Sequence, residues 1–309
     1  MNETVFPFRP NTAEQLQRRL GAVRQDGRSH IPYVYSDEIV VAVNAALATR
    51  RPLLLRGAPG CGKSTVARDV AFALDRDFDE KVITSRTTAT DLLWEFDAVG
   101  RLSDAAPDPK RAADRGNYIR PGLLWSAFKQ EPRGIVVLID EIDKADPDVP
   151  NDLLVPLGEE RFVVTDAAQP YLVERKRDVL VIITTNGERE LPPAFLRRCV
   201  ALTLEDPSKN FDRLLKIAQL HLDALWHQKG QSIAPSLDTQ LLNQILQRVD
   251  ILVGEQPRLA RRPGTAEILD AFKACVELGI SADADLWPTL TRVLLFKDAS
   301  NPDVGKDRH

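Results

Sequence analysis

Residues 57–64 read Gly57-Ala58-Pro59-Gly60-Cys61-Gly62-Lys63-Ser64 and fit the pattern G-x-x-x-x-G-K-[ST] at every fixed position. Glycines at this spacing let the backbone wrap around phosphate oxygens with its N–H groups turned inward. Lys63 is placed to reach the β- and γ-phosphates, and the Ser64 hydroxyl to ligate Mg²⁺. The run follows an apolar segment, Leu53-Leu54-Leu55, and opens a helical one, Thr65 to Leu74. The helix adds the positive end of its dipole to the anion site. From average residue usage, a chance match arises in roughly one unrelated chain of this length in a hundred. The strand before and the helix after make chance rarer still. The chemistry expected is binding of a nucleoside triphosphate.

Three further segments carry residues that hydrolysis needs. Ile135-Val136-Val137-Leu138-Ile139-Asp140-Glu141 is an apolar strand ending in two carboxylates. Asp140 is expected to hold Mg²⁺, through a water where the ion keeps part of its hydration shell. Glu141 is expected to orient and polarise the attacking water. Acidic residues are common at strand ends, so this pair gains its weight from the phosphate loop upstream. Val181-Ile182-Ile183-Thr184-Thr185-Asn186 is a second buried strand ending in an amide that can help place the water. Leu191-Pro192-Pro193-Ala194-Phe195-Leu196-Arg197-Arg198-Cys199 starts a short helix at Pro193 and ends in paired arginines. Such a pair is either a solvated surface charge or an arginine finger for a neighbouring subunit's phosphoryl transfer. Cys61 sits at a helix N-terminus, a setting that can lower a thiol's pKa; its plainer reading is a small residue tolerated in the loop.

The elements that must position these residues follow from pattern. Five short apolar runs, Pro52 to Arg56, Lys81 to Thr84, Ile135 to Ile139, Val179 to Thr184 and Val200 to Leu204, alternate with helical segments. Runs this apolar fit strands buried on both faces. Their alternation with helices implies a parallel sheet flanked by helices, which binds ligands at the carboxyl ends of its strands. Ser36 is the expected N-cap of the helix before the first strand. Two connections exceed a plain crossover: Phe96 to Pro121, and Arg161 to Arg175, either of which fits a β-hairpin insertion. Beyond about Glu205 only helical periodicity remains, at Phe211 to His227, Leu237 to Val249, Thr265 to Leu278 and Leu286 to Phe296. The expected division is an N-terminal segment over 1–35 with one helical stretch around Ala13 to Val23, an α/β nucleotide-binding domain over 36–205, and a small all-helical domain over 206–309. The tail from Asn301 is polar.

Composition bounds the function class. The chain has 309 residues, 43% of them hydrophobic and 28% charged, enough apolar material for about two globular domains. A formal net charge of -4 gives no global attraction to nucleic acid or to acidic membranes. Three cysteines, Cys61, Cys199 and Cys275, lack C-x-x-C spacing, and four scattered histidines do not cluster, so neither a disulfide framework nor a zinc site is expected. Met1 to Pro10 does not read as a signal peptide, and the longest apolar run is too short to span a bilayer. The expected location is cytoplasmic, with no membrane partner.

These residues together resemble an AAA+ ATPase and, within that superfamily, the MoxR group, over roughly Ser36 to the end of the helical region. The resemblance rests on the Walker A run Gly57 to Thr65, the Walker B run ending Asp140-Glu141-Ile142-Asp143-Lys144-Ala145, Asn186 at sensor 1, and Leu191 to Cys199 at the finger segment. Thr87 to Leu93 with Arg120 to Leu124 brackets a stretch similar to the helix-2 insert, and Arg161 to Arg175 is similar to the pre-sensor 1 hairpin. It implies a P-loop AAA+ core with a five-stranded parallel sheet and a helical lid. ATP and Mg²⁺ are the implied cofactors, with Ser64 and Asp140 toward the metal and Glu141, Asn186 and Arg198 catalytic. Arg198 fits the finger position better than Arg197. The chain departs from the group where sensor 2 is expected: Arg261-Arg262-Pro263-Gly264-Thr265-Ala266-Glu267 replaces a Ser-Pro-Arg pattern, and Arg262 is the nearest candidate to contact nucleotide. The segment near Pro32 to Val34, with the lid, is the expected adenine pocket. The resemblance further implies a homo-oligomeric, typically hexameric ring, with Arg198 acting in trans and a von Willebrand factor A-domain protein as partner in a chaperone-like role. The alternative is the nucleotide-driven motor subunit of a restriction-type system, kept open by Lys110, Arg111 and Arg115 in the insert. A nucleotide-switched scaffold with little turnover is disfavoured by Glu141 and the arginine candidates.

Overall fold

The computed structural model describes residues 7–10, 12, 15, 18–19, 22, 30–229, 237–255 and 262–295. The helical stretch expected around Ala13 to Val23 lies largely outside these residues, and the polar tail wholly so. In chain order the elements are α1 (Asp37–Thr49), β1 (Leu53–Arg56), α2 (Lys63–Ala73), β2 (Asp77–Val82), α3 (Ala89–Leu93) and β3 (Trp94–Phe96). Then come α4 (Ala98–Asp104), α5 (Pro109–Ala113), β4 (Ile119–Pro121), α6 (Leu123–Phe128), β5 (Ile135–Asp140), α7 (Val149–Asp152), α8 (Leu154–Gly158), β6 (Arg161–Val164) and β7 (Tyr171–Glu174). The last are β8 (Val179–Thr185), α9 (Pro193–Leu196), β9 (Val200–Thr203), α10 (Phe211–Gln228), α11 (Thr239–Glu255), α12 (Thr265–Leu278) and α13 (Trp287–Leu295).

The chain divides into two compact units: Met1–Arg19, Tyr35–Gly57 and Lys63–Leu204 form one, and Leu20–Val34, Ala58–Gly62 and Glu205–His309 the other. The first is built on a five-stranded parallel sheet in the order β2-β5-β8-β1-β9. Every residue of β8 is buried, and so are Ile135 to Ile139 of β5, because helices cover both faces of these central strands. Leu54, Val137, Ile139, Val181 and Ile183 share one face and pack with Leu92, Leu124 and Phe128.

The second strand is displaced from its expected place. It spans Asp77–Val82 rather than Lys81 to Thr84. Among the described residues it is the sheet edge, paired with β5 alone, and an edge strand can carry Asp77, Asp79, Glu80 and Lys81 at no cost in buried charge. Its charged residues therefore break up the apolar run that would mark it. Both long connections are two-stranded antiparallel ribbons. In one, β3 pairs with β4, with two short helices between the strands; in the other, β6 pairs with β7 as a plain hairpin. The second unit has its own core, where Leu214, Ala218, Leu242, Ile245, Ile268, Phe272 and Trp287 pack together from α10, α11, α12 and α13.

The N-terminal segment is bound into the first unit by polar groups. Asn44 of α1 accepts from the Phe8 N–H and donates to the Phe8 carbonyl, both at 3.0 Å. Arg19 is fully buried, ion-paired to Asp69 of α2, and donates to the Pro10 carbonyl at 2.6 Å.

Candidate active site

The phosphate loop turns through positive φ at Gly60 (+81°) and Gly62 (+97°), a region that L side chains rarely adopt. Ala58, Pro59 and Gly60 are exposed, whereas Cys61 is buried at 2% exposure, which hides the thiol that its helix-terminal position would otherwise offer to reagents. Lys63 starts α2, and its ammonium is turned back: Nζ donates to the Gly57 carbonyl and to Asn186 Oδ1, both at 2.8 Å. Ser64 follows on the same turn, with Thr65 exposed beside it.

Three parallel strands deliver the remaining groups to one end of the sheet. Ser64 Oγ donates to Asp140 at 2.9 and 3.0 Å. Thr184 Oγ1 donates to Asp140 Oδ1 at 2.5 Å and accepts the Glu141 N–H at 2.8 Å. Glu141 sits in the left-handed region (φ 61, ψ 49), and both of its carboxylate oxygens are engaged. Oε1 accepts from Asn186 Nδ2 at 3.0 Å and Oε2 from Lys144 Nζ at 2.5 Å. The Lys144 bond, joined by that of Asn186, holds the Glu141 carboxyl below the usual glutamate range against the opposing pull of burial. Glu141 in turn raises the Lys144 pKa. Buried Asp143 accepts from the N–H groups of Asn186 (3.1 Å) and Glu188 (2.9 Å), tying the turn after β5 to the turn after β8.

The oxygen donors suit a small hard cation. Ser64 Oγ and the Asp140 carboxylate converge, and Mg²⁺ binds through one or two such protein oxygens plus substrate phosphates. Among the described residues no cluster of three or more His, Cys, Asp or Glu side chains offers an all-protein metal cage.

Arg198 lies at the opposite end of the strands. β9 runs parallel to β1 with Val200 level with Leu53, so Arg198 precedes the amino ends, whereas Asp140 ends β5 and Lys63 and Asn186 follow the carboxyl ends of β1 and β8. One four-residue strand alone separates these levels by about 13 Å. Arg198 is exposed, and its Nε lies 3.3 Å from where a Cβ on Gly158 would be. Arg51, unremarkable in the sequence, anchors this segment by donating to the carbonyls of Arg197, Arg198 (3.1 Å) and Cys199 (3.1 Å). Burial pushes the Cys199 thiol up to about 11.

Within the second unit, the Tyr33 ring backs Gly62, where an added Cβ would meet Cε2 at 3.0 Å. Gly60 faces the start of α12, a Cβ there meeting Ala266 at 3.4 Å. Glu267 caps that helix by accepting the Gly264 N–H at 3.0 Å. Arg262 is exposed and ion-paired to Asp250 at 2.6 Å.

The two ribbons meet at one carboxylate. Trp94 stacks on Phe162, with ring centroids 6.0 Å apart, and its indole N–H donates to Asp166 at 2.7 Å. Arg115 reaches the same carboxylate at 3.5 Å while covering the Phe96 ring. Val99 and Leu102 on α4 are largely exposed.

Residues 52–199 match the family model for the AAA domain of the dynein-related subfamily. The chain is 30% identical over 258 residues to the chaperone protein ClpB of Bacillus cereus, covering 81% of this chain and 27% of that protein. It is 28% identical over 262 residues to chaperone protein ClpB 2 of Parasynechococcus marenigrum, covering 80% and 25%. The chain thus spans about a quarter of the length of these curated relatives. Among solved structures, NtrX from Brucella abortus superposes with a TM-score of 0.52 at 14% identity, over 86% of this chain and 56% of that one. NtrX in complex with ADP gives 0.51 at 15% identity, over 84% and 54%. No helix among the described residues is long and apolar enough to cross a membrane.

Proposed function

We propose, from the premise that this chain carries an AAA+ ATPase domain on a P-loop α/β fold, that it hydrolyses ATP in an oligomeric ring and spends the energy on remodelling or activating a partner protein. One observation carries the reading. Lys63, Asn186 and Glu141 form a continuous hydrogen-bonded chain beside the Ser64–Asp140 pair, all at the carboxyl ends of adjacent strands.

Each group then has a task. Lys63 binds β- and γ-phosphate charge once its ammonium turns from Asn186 to the nucleotide. Glu141 accepts a proton from the attacking water, and Asn186 helps to hold that water. Ser64 and Asp140 would hold Mg²⁺, which would supply positive charge against the developing negative charge of the phosphates. Arg198, at the far end of its own sheet, serves a neighbouring subunit's nucleotide. Arg262 can contact nucleotide once it leaves Asp250.

The likeness to ClpB supports a chaperone-like role. The two ribbons at 94–121 and 161–174 support the finer MoxR assignment; a hexameric ring and a von Willebrand factor A-domain partner are what that resemblance implies. The nucleic-acid motor is less favoured: Arg111 pairs with Asp104 and Arg115 with Asp166, so these cations serve the insertion itself. The test is ATP turnover by the purified chain beside Lys63→Ala and Glu141→Gln. Lys63→Ala should lose tight ATP binding, and Glu141→Gln should keep binding and lose turnover. Wild-type turnover in Glu141→Gln overturns the assignment of the base.

A further inference from the structure

Glu141 has two oxygens and two partners, and the partners differ in kind. Asn186 Nδ2 holds Oε1 at 3.0 Å, but the other end of the same amide, Oδ1, is bound by Lys63 Nζ at 2.8 Å. Lys63 is the group a triphosphate recruits, so the Asn186 restraint is linked to whether the phosphate site is filled. Lys144 Nζ holds Oε2 at 2.5 Å, and nothing in that bond depends on Lys63. It is local: Lys144 lies three residues on, in the single turn Ile142–Lys144, and its own N–H donates to the Glu141 carbonyl at 3.0 Å. The Glu141 backbone is also fixed, since its N–H is bonded to Thr184 and its φ is positive.

We infer that Lys144 is the positioning residue of Glu141: it keeps Oε2 fixed so that Oε1, whose Asn186 bond responds to nucleotide, is the oxygen presented to the attacking water. The inference rests on the proposed role of Glu141. It accounts for a feature that stability does not. The Lys144 side chain is 40% exposed, and an ion pair at that exposure contributes about 0–1 kcal/mol to folding. Its value lies in geometry, because a general base displaced by about an ångström can lose on the order of 100-fold in rate.

The experiment compares wild type, Lys144→Met, Lys144→Arg and Glu141→Gln for ATP turnover, binding of a fluorescent ATP analogue, and thermal melting. Lys144→Met should lower kcat by about 10- to 100-fold, with analogue affinity and melting temperature close to wild type. Lys144→Arg, which can still donate to Oε2, should recover most of the lost kcat. A wild-type or raised kcat in Lys144→Met overturns the inference. So does a loss shared equally with analogue affinity, or an Arg variant as slow as the Met variant. Glu141→Gln separates the two levels of argument. If it still turns over ATP, the base itself is misassigned. If it is inactive while Lys144→Met is fully active, only the role of Lys144 falls.

Discussion

Thr184 ties the Asp140 carboxylate that ends β5 to the backbone of Glu141 just after it: its hydroxyl donates to Asp140 at 2.5 Å and accepts the Glu141 N–H at 2.8 Å. One fully buried side chain thus sets the aim of the proposed metal ligand and the backbone of the proposed base. Thr184→Val keeps the shape and removes the hydroxyl. The Glu141 N–H is then buried without its acceptor, which costs about 1–3 kcal/mol. A denaturant melt should show that loss, and the Mg²⁺ concentration for half-maximal turnover should rise.

Arg198 and Lys63 lie at opposite ends of one sheet, so a finger role for Arg198 requires another copy of the chain. Arg198→Ala should bind ATP normally and turn it over on the order of 10³-fold more slowly. Mixed with Lys63→Ala, itself inactive, it should regain part of the activity. Mixed rings contain interfaces that pair an intact phosphate loop with an intact Arg198. Absence of recovery in rings shown to be mixed would transfer the role to Arg197 or to an arginine of the same subunit.

Arg19 and Asp69 form a pair with both side chains essentially inaccessible. Removing one partner leaves the other charge buried, at about 3–5 kcal/mol. Asp69→Asn should therefore lower the melting temperature sharply. The double variant Arg19→Met, Asp69→Leu should recover much of the loss, because no charge is stranded. Calorimetry on the three proteins measures both.

Burial, reinforced by Lys273, lowers the His221 pKa to about 4. The folded chain therefore favours the neutral ring, whereas the unfolded chain titrates near 6.5. The stability linked to the neutral ring is complete above about pH 6.5 and is lost as the pH falls from there through 4. Below that window both states are protonated and this group causes no further change. Urea melts at pH 7, 5.5 and 4.5 should show the decline, and His221→Gln should flatten it.

The parts of the site legible in the sequence were those with local signatures. Gly57 to Ser64 is contiguous, Asp140 and Glu141 close a fully apolar run, and Asn186 closes another. The five-stranded sheet followed from the same runs, except where the edge strand's charges hid its start at Asp77. What escaped were pairings between residues far apart in the chain. Thr184 to Glu141 spans 43 residues, Trp94 to Asp166 spans 72, and Arg51 to Arg198 spans 147. Periodicity carries no trace of such pairs, because each is made by tertiary packing, through the sheet order for Thr184 and Arg51 and between the two ribbons for Trp94, rather than by a helix or strand of its own. Lys144 is the instructive exception. It lies three residues from Glu141, but the bond depends on a single 3₁₀ turn that no sequence signal marked.

The sheet order also bears on how the chain is made. β1, which leads into the phosphate loop, pairs with β8 and β9, and Leu53 lies opposite Ile182 and Val200. At a synthesis rate of roughly 5–20 residues per second, its first neighbour leaves the ribosome about 6–25 s after it does. Throughout that interval Leu53, Leu54 and Leu55, all fully buried in the finished fold, have no strand to join. A nascent chain halted before Val179 therefore holds the whole phosphate-loop motif without the sheet that shapes it. The sheet around the phosphate loop closes late, when β8, which ends just before Asn186, and β9, which begins after Cys199, join β1 on either side.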